Sequence, residues 1–304
     1  MNAVKVKSYA KVNFTLDLVG DKNGYHLLDS FVASVDMFNL VSVAKRKDKL
    51  VSGRMKGMDM EQVPFENTNA CKVAEAFVEK FSTTGADIMI YENIPVGAGL
   101  GASSADAAGV LRALAKLYQV DKTELYSIAN EFGSDIAYMI DGGYAKMQGR
   151  GEIVTPLEEK NSVYMLLLCP NSTVSAGACY REFDKLCANQ KLERKTDEAI
   201  NAYLRSDIVG LAQALNNDLT YGAVALNKDV EKGLEELRAF SPLGVGMTGS
   251  GSATFAIFET KELCEWAKSR YRGKFRSYVV KTVGREKKKV WKNPFALTQD
   301  EQDG

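Results

Sequence analysis

One sixteen-residue stretch constrains this chain more than any other: Asn93-Ile94-Pro95-Val96-Gly97-Ala98-Gly99-Leu100-Gly101-Ala102-Ser103-Ser104-Ala105-Asp106-Ala107-Ala108. It follows a short β-type run, Ile88 to Tyr91, and leads into Ser103 to Tyr118, whose Ala and Leu content reads as a closely packed helix. Glycines let the backbone turn tightly and come close to a ligand, while the first amides of a helix have no intrahelical acceptor and lie at the positive end of its dipole. Strand, glycine turn and helix start therefore make a cradle for phosphate. Two familiar loops are excluded by their letters. A Walker loop needs a lysine that is absent here, and a dinucleotide fingerprint needs glycine at position 102, where there is Ala102. The same glycines would also serve a turn that only lets a helix pack closely. The concentration of Gly, Ser and Ala on both sides of the turn favours phosphate.

Charge makes the loop more telling. The 304 residues carry 39 Lys+Arg against 39 Asp+Glu, a formal net charge of zero, so no broad cationic surface is expected to hold nucleic acid, and an anionic ligand must be held locally. With 45% hydrophobic residues the chain is expected to be a soluble globular protein of two modest domains or one large one. Its longest apolar run, Val163 to Cys169, is seven residues, too short to span a membrane, and the N-terminus lacks the apolar core of an export signal. Five scattered cysteines with no C-x-x-C spacing favour a reducing cytoplasm, without a disulfide framework or structural zinc. A single histidine, His26, excludes a metal site built on several imidazoles.

Periodicity places further elements. Val12, Phe14, Leu16 and Leu18 alternate with Asn13, Thr15 and Asp17, predicting a strand with one buried face, followed by a turn at Asp21-Lys22-Asn23-Gly24 and an extended stretch from Phe31 to Ala44. Ala70 to Phe81 predicts an amphipathic helix packed in the core. Asp121 with Glu124 resembles a capping pair for a helix ending at Gly133; Gly142-Gly143 and Arg150-Gly151 read as turns. A boundary near 150 to 160 precedes a fully apolar strand at Val163 to Leu168. Helices follow around 177 to 188, 207 to 219 and 228 to 240, with strands at Thr254 to Phe258 and Tyr278 to Val283. This irregular order predicts an α+β fold in both halves: a first domain over 1–155, a second over 156–285 and a charged tail over 286–304.

The loop resembles the phosphate loop of the GHMP kinase superfamily, which includes galactokinase, homoserine kinase, mevalonate kinase and phosphomevalonate kinase. Three more segments, in order, are similar to the diphosphocytidyl methylerythritol kinases of that superfamily: Ala10-Lys11-Val12-Asn13-Phe14 leading to Gly24-Tyr25-His26; Gly133-Ser134-Asp135-Ile136 leading to Gly149-Arg150-Gly151-Glu152; and Gly246-Met247-Thr248-Gly249-Ser250-Gly251-Ser252. The resemblance runs from about residue 8 to 283. It departs from the family in three places: the serine pair stands one position early, Ala137 replaces a proline and Ala176 a threonine. The early serine pair is closer to the homoserine and mevalonate kinase pattern.

The resemblance implies a two-domain fold, with a ribosomal-S5-domain-2-like ATP domain followed by a ferredoxin-like domain, and transfer of phosphate from ATP, with Mg²⁺, to the 2-hydroxyl of a cytidine-diphosphate-bearing polyol. It assigns Pro95, Val96, Gly97, Ala98, Gly99, Leu100, Gly101, Ala102, Ser103, Ser104 and Ala105 to the ATP phosphates. Lys11 and Asp135 are assigned to catalysis, the first beside the γ-phosphate and the second at the acceptor hydroxyl. Asn13 would meet the substrate's polar groups, while Tyr25 and His26 meet its base, with Tyr180 as the opposing stacking partner. For Lys11 the plainer alternative is a solvated charge, for Asp135 an N-cap, and for His26 a hydrogen-bonded structural residue. Two other functions stay open: a sister kinase for homoserine, mevalonate or a sugar, and a silent nucleotide-binding regulator. No protein side chain is assigned to a metal, no nucleic-acid or membrane partner is expected, and monomer or homodimer is left open.

Overall fold

The longest element organises the rest. Strand β3 (Tyr25–Lys45) follows β1 (Ala3–Asn13) and β2 (Thr15–Lys22), and pairs antiparallel with both. Asn23 and Gly24, both at positive φ, close the β2–β3 hairpin in the form that suits strand twist. Beyond β4 (Val51–Lys56) and helix α1 (Asn69–Lys80), β5 (Ala86–Tyr91) joins the far end of β3, from Lys45 back to Leu40. This computed structural model describes residues 2–57, 64–187 and 192–285, so the charged tail read at 286–304 lies outside the described residues.

Helix α2 (Ala102–Tyr118) lies against β1 and β3. Its small side chains allow the contact: a Cβ at Gly109 would stand 2.7 Å from Val41 and 3.0 Å from Ser8. Two charged residues, Asp106 and Arg112, are buried along it. Burial pushes the Asp106 carboxyl up to about 8, against the hydrogen bond from Asn39 and helped by the charge of Glu92. Asp121 caps a single 3-10 turn by accepting the Thr123 amide at 2.8 Å, and α3 (Leu125–Phe132) and α4 (Ser134–Asp141) follow. Strands β6 (Tyr144–Gly149) and β7 (Ile153–Pro156) extend the sheet from β3.

The apolar run of the second half is strand β8 (Tyr164–Cys169). It is buried on both faces: Leu166 and Leu168 belong to one core, Leu167 and Cys169 to another. Burial on both sides explains an unbroken apolar sequence where a half-exposed strand would alternate. The helices are α5 (Ala176–Cys187), α6 (Thr196–Leu204) and α7 (Ile208–Gln213); after β9 (Asn216–Asn217) come α8 (Thr220–Leu226) and α9 (Lys228–Arg238). Strands β10 (Gly244–Met247) and β11 (Thr254–Phe258), helix α10 (Lys261–Arg270) and β12 (Arg276–Val283) complete the chain. The second sheet runs β10-β11-β8-β12. Strand β12 then continues onto β3 through Thr282 and Val283, joining the two sheets.

Two expectations are corrected. The strand over 12–18 divides at Phe14, and residues Lys11 to Leu18 are all buried rather than alternately exposed. They pass between layers: Phe14 meets Phe31 at 5.1 Å and Phe255 at 6.3 Å, while Asp17 is covered by residues 195 and 196. The helix over 207–219 stops at Gln213. Residues 216 to 218 instead run beside β2 because their polar side chains have better partners there than a helix offers. Asn216 donates to Asp17 at 2.8 Å, and Asp218 accepts the Leu18 amide at 2.7 Å.

Phe255 is fully buried where the two sheets meet. Phe255→Ala should cost about 3–5 kcal/mol in denaturant unfolding; a loss below about 1 kcal/mol would contradict this packing.

Candidate functional site

The chain leaves β5, passes Ile94 and Pro95, and turns through Gly97, Gly99 and Gly101, all at positive φ, into α2. Three consecutive carbonyls of the turn are engaged. Ala98 accepts from the Ala253 amide at 3.0 Å, Gly99 from the Thr248 hydroxyl at 3.3 Å, and Leu100 from the Lys11 amide at 3.0 Å. These contacts explain the glycines. A Cβ at Gly99 would stand 2.1 Å from the Thr248 carbonyl, and one at Gly101 2.3 Å from Met139. Close packing of the loop therefore requires these glycines and leaves the start of α2 facing outward. The first turn of α2 carries no side-chain cap and no acidic residue, so its free amides are open to an anion.

A cavity of about 350 Å³ opens at this helix end. Val96, Gly97, Gly99, Gly101, Ala102, Ser103 and Ser104 line it, together with Lys11, Asn13, Asp135 and Tyr180. Pro95, Ala98, Leu100 and Ala105 do not; they are buried behind the loop and support its shape. Ala10 and Val12 bury the strand that carries Lys11, whose own side chain is only 7% exposed and so is no solvated surface charge. The Lys11 Nζ lies 2.6 Å from Asn13 Oδ1 and 3.6 Å from Asp135 Oδ2. Asn13 donates in turn to Ser30 at 2.8 Å and accepts the Gly249 amide at 3.2 Å, tying the late glycine segment to the lysine. Gly133 occupies the N-cap of α4, so Asp135 is not the cap. It sits in the helix's first turn, where the dipole favours a carboxylate.

The aromatic residues depart from the expected arrangement. Neighbouring residues of a strand point to opposite faces, so Tyr25 and His26 diverge. The Arg150 guanidinium lies over the exposed Tyr25 ring, 4.3 Å from its centroid. His26 stacks on Tyr180 at 5.1 Å with 14° between the rings, and its Nε2 lies 3.0 Å from Asp184 Oδ1. The ring facing Tyr180 is therefore His26, not Tyr25. Burial, with a smaller contribution from the Asp135 charge, pushes the Tyr180 phenol up to about 12, so it is a neutral aromatic surface at the cavity wall.

Arg150 and Ser250 also line the cavity and were not singled out from sequence. Arg150 stands in a turn that the Gly149-Arg150-Gly151 spelling did reveal, with its amide held by Glu152 at 2.5 Å. Ser30, another lining residue, has no motif to announce it. Among the described residues no group of three or more His, Cys, Asp or Glu side chains is placed to hold a metal, and no helix is long and apolar enough to cross a membrane.

Comparison with known proteins accords with this geometry. Residues 69–145 match the family model for the GHMP kinases N terminal domain, and residues 198–275 that for GHMP kinases C terminal. The 4-diphosphocytidyl-2-C-methyl-D-erythritol kinase of Clostridium beijerinckii is 32% identical over 281 residues, covering 90% of this chain and 98% of the relative. The enzyme of the same name from Clostridium tetani is 31% identical over 286 residues, covering 92% and 100%. A crystal structure of 4-(cytidine 5'-diphospho)-2C-methyl-D-erythritol kinase superposes with a TM-score of 0.76 at 25% identity, covering 92% of this chain and 100% of that one. Homoserine kinase from Cytophaga hutchinsonii shares the fold, with a TM-score of 0.74 at 16% identity over 94% and 96% of the chains.

Gly99→Ala should lower stability by about 1–3 kcal/mol, because it forces a side chain into a left-handed position against a backbone carbonyl. It should also weaken binding of inorganic triphosphate in titration calorimetry. Unchanged stability and affinity would contradict the close contact between loop and late glycine segment.

Proposed function

The chain belongs to the GHMP kinase family, and from that premise we propose that it phosphorylates the 2-hydroxyl of 4-diphosphocytidyl-2-C-methyl-D-erythritol, converting ATP to ADP in non-mevalonate isoprenoid precursor synthesis. The observation that carries the reading is one cavity lined by a phosphate-type loop, a buried lysine, a helix-start carboxylate and an aromatic wall. Such a cavity can hold two reactants in line, which is most of what phosphoryl transfer requires.

In this reading the amides at the start of α2 and the hydroxyls of Ser103 and Ser104 hold the β- and γ-phosphates. Lys11 lies between the loop and Asp135, where its charge offsets that developing on the transferring group. Asp135 orients the acceptor hydroxyl and takes its proton as the new P–O bond forms and the bond to the ADP oxygen breaks. The loose transition state asks more of its position than of its basicity. Asn13, pinned by Ser30 and Gly249, holds Lys11 in place and offers the acceptor a polar contact. Tyr180 and Arg150 give the cytidine end of the substrate an aromatic and a cationic surface on the cavity, while His26, stacked on Tyr180, and Tyr25, beneath Arg150, stand outside its lining. Residues 1–155 then act as the phosphate-binding unit, and 156–285 supply Tyr180 and the late glycine segment.

Mg²⁺ fits the donors available. The Ser103 and Ser104 hydroxyls are hard oxygen donors on one cavity, suited to an ion that would keep most of its contacts with phosphate and water. When bound, the ion neutralises charge on the β- and γ-phosphates. The neutral chain, its buried cysteines and its small-molecule cavity suit an enzyme of the cytoplasm. The early serine pair leans toward a homoserine or mevalonate acceptor, but the aromatic residues speak against both, since neither acceptor has a base for them to meet.

The test is ³¹P NMR of the product, which should show a new phosphomonoester with the substrate diphosphate intact. Asp135→Asn should lower kcat about 10²–10⁴-fold with little change in the KM for ATP. A product without the phosphomonoester, or an Asp135→Asn enzyme as fast as wild type, would overturn the assignment.

A further inference from the structure

The phosphate loop has to leave a sheet and enter a helix with its turn already shaped, and the cavity-lining residues do not do this alone. The β3–β5 ladder ends at the Leu40–Tyr91 pair, and the chain then departs toward the loop. The Glu92 amide meets the Lys56 carbonyl at 2.7 Å, and the two amides after it meet a side chain. Asn39 Oδ1 accepts the N–H of Asn93 at 2.7 Å and that of Ile94 at 2.8 Å. With its oxygen so engaged, the Asn39 amide must direct its NH₂ elsewhere, and Nδ2 donates to Asp106 Oδ1 at 2.8 Å. Asp106 belongs to the second turn of α2, the helix whose first turn closes the cradle. Asn39 and Asp106 are 0% and 2% exposed, and neither lines the cavity.

We propose that Asn39 and Asp106 are positioning residues for the phosphate donor: a buried pair that fastens the entry of the loop at 93–94 to the helix at its exit, and so presets the cradle before ATP arrives. The proposal rests on the kinase reading for the identity of the ligand, although the pair touches no substrate. Either end of the link can be cut. Without the Asn39 carbonyl two loop amides lose their acceptor, and without the Asp106 oxygen the amide of Asn39 loses the bond that holds its orientation. In both cases the loop entry is released while Lys11, Asp135 and the Tyr180 wall keep their own supports. Small displacements of such a cradle weaken positioning steeply.

Titration calorimetry with the non-hydrolysable ATP analogue carrying a β,γ-imido bridge, and separately with CDP, tests this on the intact protein. Asn39→Ala and Asp106→Ala should each weaken the analogue by about tenfold or more and leave CDP within about twofold. Asp106→Asn, whose carbonyl can still accept from Asn39, should stay within about twofold of wild type for both ligands. If the alanine variants do not fold, Asn39→Gln keeps the amide on a longer arm and should weaken only the analogue. Equal weakening of analogue and CDP, an alanine or glutamine variant with wild-type affinity for the analogue, or an Asp106→Asn protein as weak as Asp106→Ala would overturn the proposal. Failure of wild type to bind CDP would instead count against the acceptor assignment and leave the loop comparison readable on the analogue alone.

Discussion

Everything at this site depends on how three backbone segments meet behind one turn. The carbonyls of Ala98, Gly99 and Leu100 point into donors from the late glycine segment and from β1, so the turn's acceptors are satisfied by protein. What an arriving anion meets is the uncapped first turn of α2 and the ammonium of Lys11. A chain of zero net charge can hold a polyphosphate this way because the binding charge is built from oriented dipoles and one buried cation rather than from a basic surface.

That meeting has a structural cost, which the rest of the fold meets. The segment over 11–18 has no solvent face and carries Lys11, Asn13, Thr15 and Asp17 into the interior, where each polar group needs a partner. Asn13 is held by Lys11, Ser30 and Gly249, and Thr15 shares a hydrogen bond of 2.7 Å with Thr196. Asp17 accepts from the amides of Lys195 and Thr196 and from Asn216. The second half therefore does more than supply Tyr180: it satisfies the buried polar strand on which the lysine rides. The continuation of β12 from β8 onto β3 fixes the two halves in register.

How legible this was in the sequence follows from which forces act locally. The glycine loop, the hairpin turn at Asn23-Gly24 and helices α1 and α2 declare themselves through residue types that answer to backbone conformation or to a single packed face. The helix expected over 207–219 failed because Asn216 and Asp218 find partners on β2 far back in the chain and Asn217 finds one at Gly249, which no local pattern records. The placing of Tyr25 and His26 on opposite faces could have been read from the period of a strand. That His26 would stack on Tyr180 could not, since it depends on where α5 docks. Ser30 and Asn39 were silent for the same reason: each is an ordinary residue made specific by what the fold brings beside it, while Arg150 showed only as part of a turn.

The central claim is that the cavity selects an acceptor with a cytidine diphosphate end and passes it the γ-phosphate of ATP. The most direct measurement is ADP release by the wild-type enzyme, as kcat/KM, with 4-diphosphocytidyl-2-C-methyl-D-erythritol, homoserine, mevalonate and galactose assayed side by side. The account predicts turnover of the first at least about a hundredfold above each of the others, the scale on which unpaired or unfilled contacts discriminate between substrates. Faster turnover of homoserine, mevalonate or galactose, or ADP release indifferent to the acceptor, would contradict it.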